Sequence, residues 1–164
     1  MTFLTFCKWI ENSPLGAGVR NSEWIFPVLE SIHILGLVLL VFTAALVDLR
    51  LLGRGVLRRR PVGEVARGLL PWMWRAVLIV VVTGIALFAS EAASKCYDSK
   101  AFYVKMALIL VAVVNAAALD FSVRHHAAEW DERACTPARA KVMAIVSLTA
   151  WAGVVFAGRG IAYF

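Results

Sequence analysis

The chain carries one histidine, His33, inside a long apolar segment. Glu30 lies three residues before it, so the two side chains share one face of a helix. A neutral imidazole in apolar surroundings can ligate haem iron or another metal, or relay a proton. Gly36, three residues after His33, would leave room for a flat macrocycle against the backbone. The alternative is a structural histidine that is hydrogen-bonded to Glu30 or to another helix.

Three more ionisable residues, Glu91, Lys105 and Arg159, lie near the ends of other apolar segments. A charged group inside a membrane span costs about 2.5–3.5 kcal/mol on insertion scales, so each one is a functional hypothesis. The alternatives are a Lys105 that extends its amine to the interface, and a Glu91 and an Arg159 that anchor helix ends or pair with each other. We expect these groups and His33 to share one half of a helical bundle.

The composition determines which elements position these residues. Hydrophobic residues make up 61% of the 164 residues, and the mean hydropathy is +0.77. Soluble domains contain roughly 45–50% apolar residues, so the surplus must face lipid. The net charge of +6 comes from basic residues in the connections between apolar segments, which argues against nucleic acid as a partner. We predict one transmembrane domain over 1–164, with the lipid bilayer as its main partner.

Four apolar segments are long enough to span a membrane, which takes about 20 residues. The predicted spans cover about 24–47, 72–90, 102–121 and 142–160, with Pro71 at the start of the second. A short amphipathic helix over about 2–11 would lie in the interface. The predicted fold is therefore all-α, an integral membrane up-down four-helix bundle with a short N-terminal interfacial helix.

Polar residues outside the candidate site are predicted to have structural roles. Asn115, Thr83 and Gly84 are typical of interhelical hydrogen bonding and close packing inside a bundle. His125 and His126 lie in a polar stretch, and adjacent histidines cannot face the same way on a helix. We predict a solvated loop there in preference to a metal site.

The positive-inside rule predicts the orientation. Two connections, between spans one and two and between spans three and four, hold ten basic residues: Arg50, Arg54, Arg58, Arg59, Arg60, Arg67, Arg124, Arg133, Arg139 and Lys141. The opposite side holds five: Lys8, Arg20, Lys95, Lys100 and Arg159. This difference predicts a multi-pass protein of the bacterial inner membrane with both termini in the periplasm.

In this orientation Cys7 and Cys96 lie on the oxidising side and Cys135 on the reducing side. A disulfide between Cys7 and Cys96 is permitted, although two unpaired residues in interfacial segments fit the sequence as well. The chain has no C-x-x-C pair, which argues against a quinone-linked thiol oxidoreductase.

Several motifs resemble a family of small, uncharacterised proteobacterial proteins with four spans. They are Trp24-Ile-Phe-Pro27, Glu30-Ser-Ile-His33-Ile-Leu-Gly36, Asp48-Leu-Arg50-Leu-Leu-Gly53, Ala101-Phe102-Tyr-Val-Lys105-Met, and Trp151-Ala-Gly153 with Gly158-Arg159-Gly-Ile-Ala-Tyr163. More distantly, a histidine in span one and a lysine at the start of span three is similar to HemJ-type protoporphyrinogen oxidases and CopD-like membrane domains. That resemblance implies b-type haem held by His33 and Lys105.

The leading hypothesis is a haem-b-binding membrane protein that transfers electrons to or from a quinone or a membrane or periplasmic redox protein. His33 would be the axial ligand, Lys105 the second ligand or a propionate partner, and Arg159 a second propionate contact. One alternative is a cofactor-free subunit or small transporter-like bundle with a polar network of Glu30, His33, Glu91 and Lys105. Another is a porphyrinogen oxidase-like enzyme. The sequence is also compatible with a homo-oligomer.

Overall fold

The computed structural model describes residues 3–92, 100–132 and 136–160. These residues form helices and turns, without strands. The six helices are α1 (Phe3–Glu11), α2 (Pro14–Arg20), α3 (Ile25–Leu51), α4 (Val62–Ser90), α5 (Lys100–Glu132) and α6 (Ala138–Gly160). Four of them, α3 to α6, are long and apolar enough to cross a membrane. This confirms the predicted all-α membrane bundle with a short N-terminal helix.

The four long helices alternate in direction and form a closed ring. The most extensive contacts join α3 to α4 and α5 to α6, and the two pairs meet through α3 with α6 and α4 with α5. We call the end that carries the α3–α4 and α5–α6 connections the arginine-rich end. The opposite end, where the chain enters α3 and leaves α6, we call the terminal end. The ring places one face of each long helix inside the bundle.

A small N-terminal unit covers the terminal end of α4. The sequence Asn12-Ser13-Pro14 does break α1, but a second helix that we did not predict follows at once. The Ser13 hydroxyl accepts a hydrogen bond from the Gly16 backbone N–H at 3.2 Å, and Pro14 stands where a missing N–H costs little. Helix α2 packs on α4, and Cys7 of α1 is buried beside Phe88 and Ala92.

Helix α4 begins well before the predicted span. The first two backbone N–H groups, of Val62 and Gly63, donate to the carboxylate of Asp131, which caps the helix from α5. Pro71, which we predicted at the start of the second span, therefore lies inside α4. Hydropathy marks where a helix enters lipid, whereas the cap determines where the helix starts.

Helix α5 extends beyond its apolar segment to Glu132, so the predicted solvated loop at His125 and His126 is wrong. Both imidazoles lie against backbone carbonyls one turn earlier, at 2.8 and 3.1 Å. Arg124 pairs with Asp120 across the same spacing at 2.7 Å. These local contacts, together with the cap that Asp131 places on α4, stabilise a polar helical extension.

The buried apolar core does not fill the whole bundle. From the arginine-rich end it reaches Leu40 on α3, Ala76 on α4, Ala112 on α5 and Val154 on α6. Nearer the terminal end, none of the described apolar side chains on α3, α5 or α6 is buried. Tight apolar packing therefore holds the arginine-rich half, and the inward faces of the terminal half carry different residues.

Candidate functional site

His33 occupies the inward stripe of α3, in line with the buried residues Gly36 and Leu40. Its Nδ1 lies 2.8 Å from the hydroxyl oxygen of Thr83 on α4. The neighbouring Gly84 makes room for the ring, because a Cβ built there would stand 3.2 Å from His33 Cε1. The predicted close packing at Gly84 and interhelical bonding at Thr83 are confirmed. The partner of Thr83 is the candidate histidine itself.

The Thr83 hydroxyl lies between the imidazole and a backbone carbonyl of its own helix. Its single hydrogen is directed to the backbone carbonyl of Ile79, 2.7 Å away within the same helix. When the hydroxyl hydrogen goes to Ile79, the hydroxyl oxygen accepts from Nδ1–H of His33. The carbonyl of Val80 is a further acceptor beside the same ring. In the tautomer with Nδ1 protonated, the unprotonated nitrogen of the neutral imidazole is Nε2, a form that can ligate a metal.

Lys105 occupies the corresponding inward position on α5. It precedes the fully buried Ala112 by seven residues, or two helical turns, on the same face. Its amine passes close to α6, where a Cβ added at Gly158 would lie 3.7 Å from Nζ. Lys105 is close enough to His33 to interact with it electrostatically. All four long helices contribute at this level of the bundle. Helices α3 and α4 supply His33 and Thr83, and helices α5 and α6 supply Lys105 and Gly158.

The other predicted site residues differ in where they lie. Glu30 is exposed on α3, and the described hydrogen bond of the imidazole goes to Thr83 instead. Gly36 is buried, but a Cβ there would stand 3.0 Å from Ile79, so α4 fills the space that we had predicted for a macrocycle. The side chain of Arg159 and the whole of Cys96 lie outside the described residues. The propionate contact of Arg159 and the Cys7–Cys96 disulfide therefore stay predictions.

A second polar group lies in the arginine-rich half. Asp48 is only 1% exposed and is hydrogen-bonded to the hydroxyl of Ser147 on α6. One of its oxygens, Oδ2, has no partner among the described residues, and the same holds for the buried indole N–H of Trp151. Two arginines of the same half are engaged elsewhere: Arg50 donates to the Arg60 carbonyl, and Arg75 lies over the ring of Trp72.

No group of three or more histidine, cysteine, aspartate or glutamate side chains that could hold a bare metal ion occurs among the described residues. The imidazole of His33 and the amine of Lys105 could instead contribute ligands to a metal that a cofactor already carries. The geometry therefore offers one fixed imidazole and one nearby amine in the terminal half of a membrane bundle.

Comparison with known proteins gives a family without an assigned activity. No curated protein and no solved structure matches the chain. The family model of DUF6644, described as a family of unknown function, matches residues 6–164. That match covers nearly the whole chain, including every residue of the candidate site. The chain is a member of the DUF6644 family.

Proposed function

We propose that this protein binds haem b in the terminal half of its bundle and transfers electrons within the membrane, with His33 as a ligand of the haem iron. The bond from His33 to Thr83 is the observation that carries the proposal. Metal-ligating histidines donate their second ring N–H to a fixed acceptor, which sets the tautomer and the ring orientation.

Lys105 is the second residue of the proposed site. Its inward position on α5 and its approach to Gly158 leave an amine facing the interior at the level of His33. It would serve as the second ligand or as a partner for a propionate, and Arg159 would be a second propionate contact. The same pair, a histidine in the first span and a lysine in the third, is the resemblance to HemJ-type and CopD-like proteins. We assign no haem contact to Gly36 or Glu30.

The terminal half, where we propose the haem, has fewer buried apolar side chains on α3, α5 and α6 than the arginine-rich half. Its inward faces lack the buried apolar side chains that fill the other half. A haem would supply one-electron chemistry, while the protein binds it, orients it and keeps water away. Quinone is the partner that the membrane itself offers, and a membrane or periplasmic redox protein is the other candidate.

The proposed location is the bacterial inner membrane, with the terminal end on the periplasmic side. This follows from the excess of arginine at the opposite end. Fusions of alkaline phosphatase and of green fluorescent protein to the C-terminus test it. Phosphatase activity without fluorescence is the expected result, and fluorescence without phosphatase activity would reverse the orientation.

An absorption spectrum tests the haem proposal. The protein is produced with added haem precursor, purified in detergent and measured oxidised and dithionite-reduced. We expect a Soret band in the wild type, its loss in His33→Ala, and wild-type absorbance in His125→Ala, whose exposed imidazole contacts only its own helix. A colourless wild type, or a His33→Ala variant with full haem content, refutes the proposal.

A cofactor-free polar network is the competing function. It is favoured by the fact that His33 already has a hydrogen bond to Thr83 and an electrostatic interaction with Lys105 within the chain. A network protein would be colourless, and its His33→Ala form would lose thermal stability without any spectral change. The same two variants therefore separate the two functions.

A further inference from the structure

A pocket of about 320 Å³ opens between α4 and α5 at the arginine-rich end, far from His33. Its apolar part includes Leu70 and Val123, and its polar part consists of Arg67, Asp120 and Arg124. The pocket thus combines two guanidinium groups and one carboxylate with an apolar surface.

The carboxylate in this pocket is fully engaged by the protein. Asp120 accepts from Arg124 Nε at 2.7 Å and from Arg124 Nη2 at 3.2 Å. The indole N–H of Trp74 donates to the same carboxylate at 3.1 Å. Two of these donors belong to the Arg124 guanidinium, which balances the negative charge of Asp120.

The guanidinium of Arg67 has no acidic side chain within ion-pair distance in the part of the chain that the structure describes. The Asp131 carboxylate lies next to the pocket, where it accepts from the backbone N–H groups of Val62 and Gly63 and keeps its own charge. Arg124 and Asp120 balance each other, so the side chains that line the pocket leave one net positive charge, on Arg67. A guanidinium presents paired N–H donors whose geometry matches two oxygens of a phosphate.

The position of the pocket along the membrane normal indicates the source of such a phosphate. The apolar part of α4 starts at Ala76, one turn past the pocket, and the apolar part of α5 ends at Leu119, beside it. The ring of Trp72 is exposed next to Arg75, as aromatic residues are at the boundary between lipid tails and headgroups. The pocket therefore lies at the level of lipid headgroups.

We propose that the pocket between α4 and α5 binds the phosphate of an anionic phospholipid through Arg67, with the lipid tails continuing along the apolar surface beside Leu70. Basic pockets between transmembrane helices bind acidic headgroups in this way. The proposal does not depend on haem, because none of these residues lies near His33.

A lipid titration tests this site. The full-length protein in a neutral detergent is titrated with dioleoyl phosphatidylglycerol, dioleoyl phosphatidylcholine or sodium phosphate, and its unfolding midpoint is followed by tryptophan fluorescence. We expect only phosphatidylglycerol to raise the midpoint. In Arg67→Gln the lipid concentration needed for half of the shift should rise about tenfold, the effect of losing a hydrogen bond to a charged group.

Arg59→Gln is the matched control, because it removes one exposed arginine from the α3–α4 connection and leaves the pocket intact. It should titrate like the wild type, and Arg67→Lys should fall between the wild type and Arg67→Gln. Three results overturn the proposal: an equal effect of phosphatidylcholine, a full effect of inorganic phosphate alone, or a wild-type titration of Arg67→Gln. An equal effect of phosphatidylcholine would mean that the site does not select the headgroup. A full effect of inorganic phosphate would mean that the site binds a soluble anion.

Discussion

The substitution Thr83→Val tests how the candidate histidine is held. Valine keeps the shape of threonine but removes the hydroxyl oxygen that accepts from His33 Nδ1 at 2.8 Å. Outer-shell partners of metal-bound histidines contribute roughly 10–100-fold to metal affinity, or about 1.4–2.7 kcal/mol. The Val80 carbonyl beside the ring can take over as acceptor, so we expect the lower end, about a tenfold loss of haem affinity.

The assay is transfer of haem to apomyoglobin, followed at the Soret band, with a direct haem titration of the apoprotein. Thr149→Val is the matched control. Thr149 bonds to the Ile145 carbonyl at 2.9 Å within its own helix, as Thr83 does to Ile79, but it is exposed and has no described partner on another helix. Equal haem affinities for the two variants would refute the inference that Thr83 orients the ligand. They would leave His33 itself to be tested by its own substitution.

Three further predictions concern stability in detergent. The first two are measured as the free energy of unfolding. Ser147→Ala should cost about 1–3 kcal/mol by leaving the buried Asp48 without its hydrogen bond, and a double-mutant cycle with Asp48→Ala should return most of that cost. Asp131→Ala should cost about 0.5–2 kcal/mol by uncapping α4; an unchanged stability would contradict the cap. Gly16→Ala should detach α2, shown by faster amide exchange there, because its Cβ would stand 2.5 Å from the Ala89 carbonyl oxygen.

The membrane architecture could be predicted from composition because few kinds of structure are stable in lipid. Each span must be apolar and must satisfy its own backbone, which gives a strong signal for the four long helices. The helix ends gave no such signal. Helix α4 begins at a cap that Asp131 supplies from sixty-nine residues away, and α5 continues through a polar segment on local bonds. A hydropathy window cannot detect either contact.

The candidate site was predictable only in part. His33 and Lys105 were found because an ionisable residue inside a span is unusual, and Thr83 with Gly84 because small polar residues mark helix contacts. The sequence did not indicate that these two signals belong together. The sequence left open whether His33 would bond to Glu30 or to another helix, and the described partner comes from the facing helix. Which helices face each other is a property of the bundle as a whole.

The uneven core gives the two halves of the bundle different roles. Lipid is as apolar as the helices, so close packing and interhelical hydrogen bonds hold them together instead of the hydrophobic effect. In the arginine-rich half that packing comes from small residues such as Ala112, Ala116 and Ala144, all buried. His33 and Lys105 lie beyond it, where their replacement removes little of this packing. Variants at these two positions should therefore still assemble, and a lost Soret band would then report lost ligation and not a lost fold.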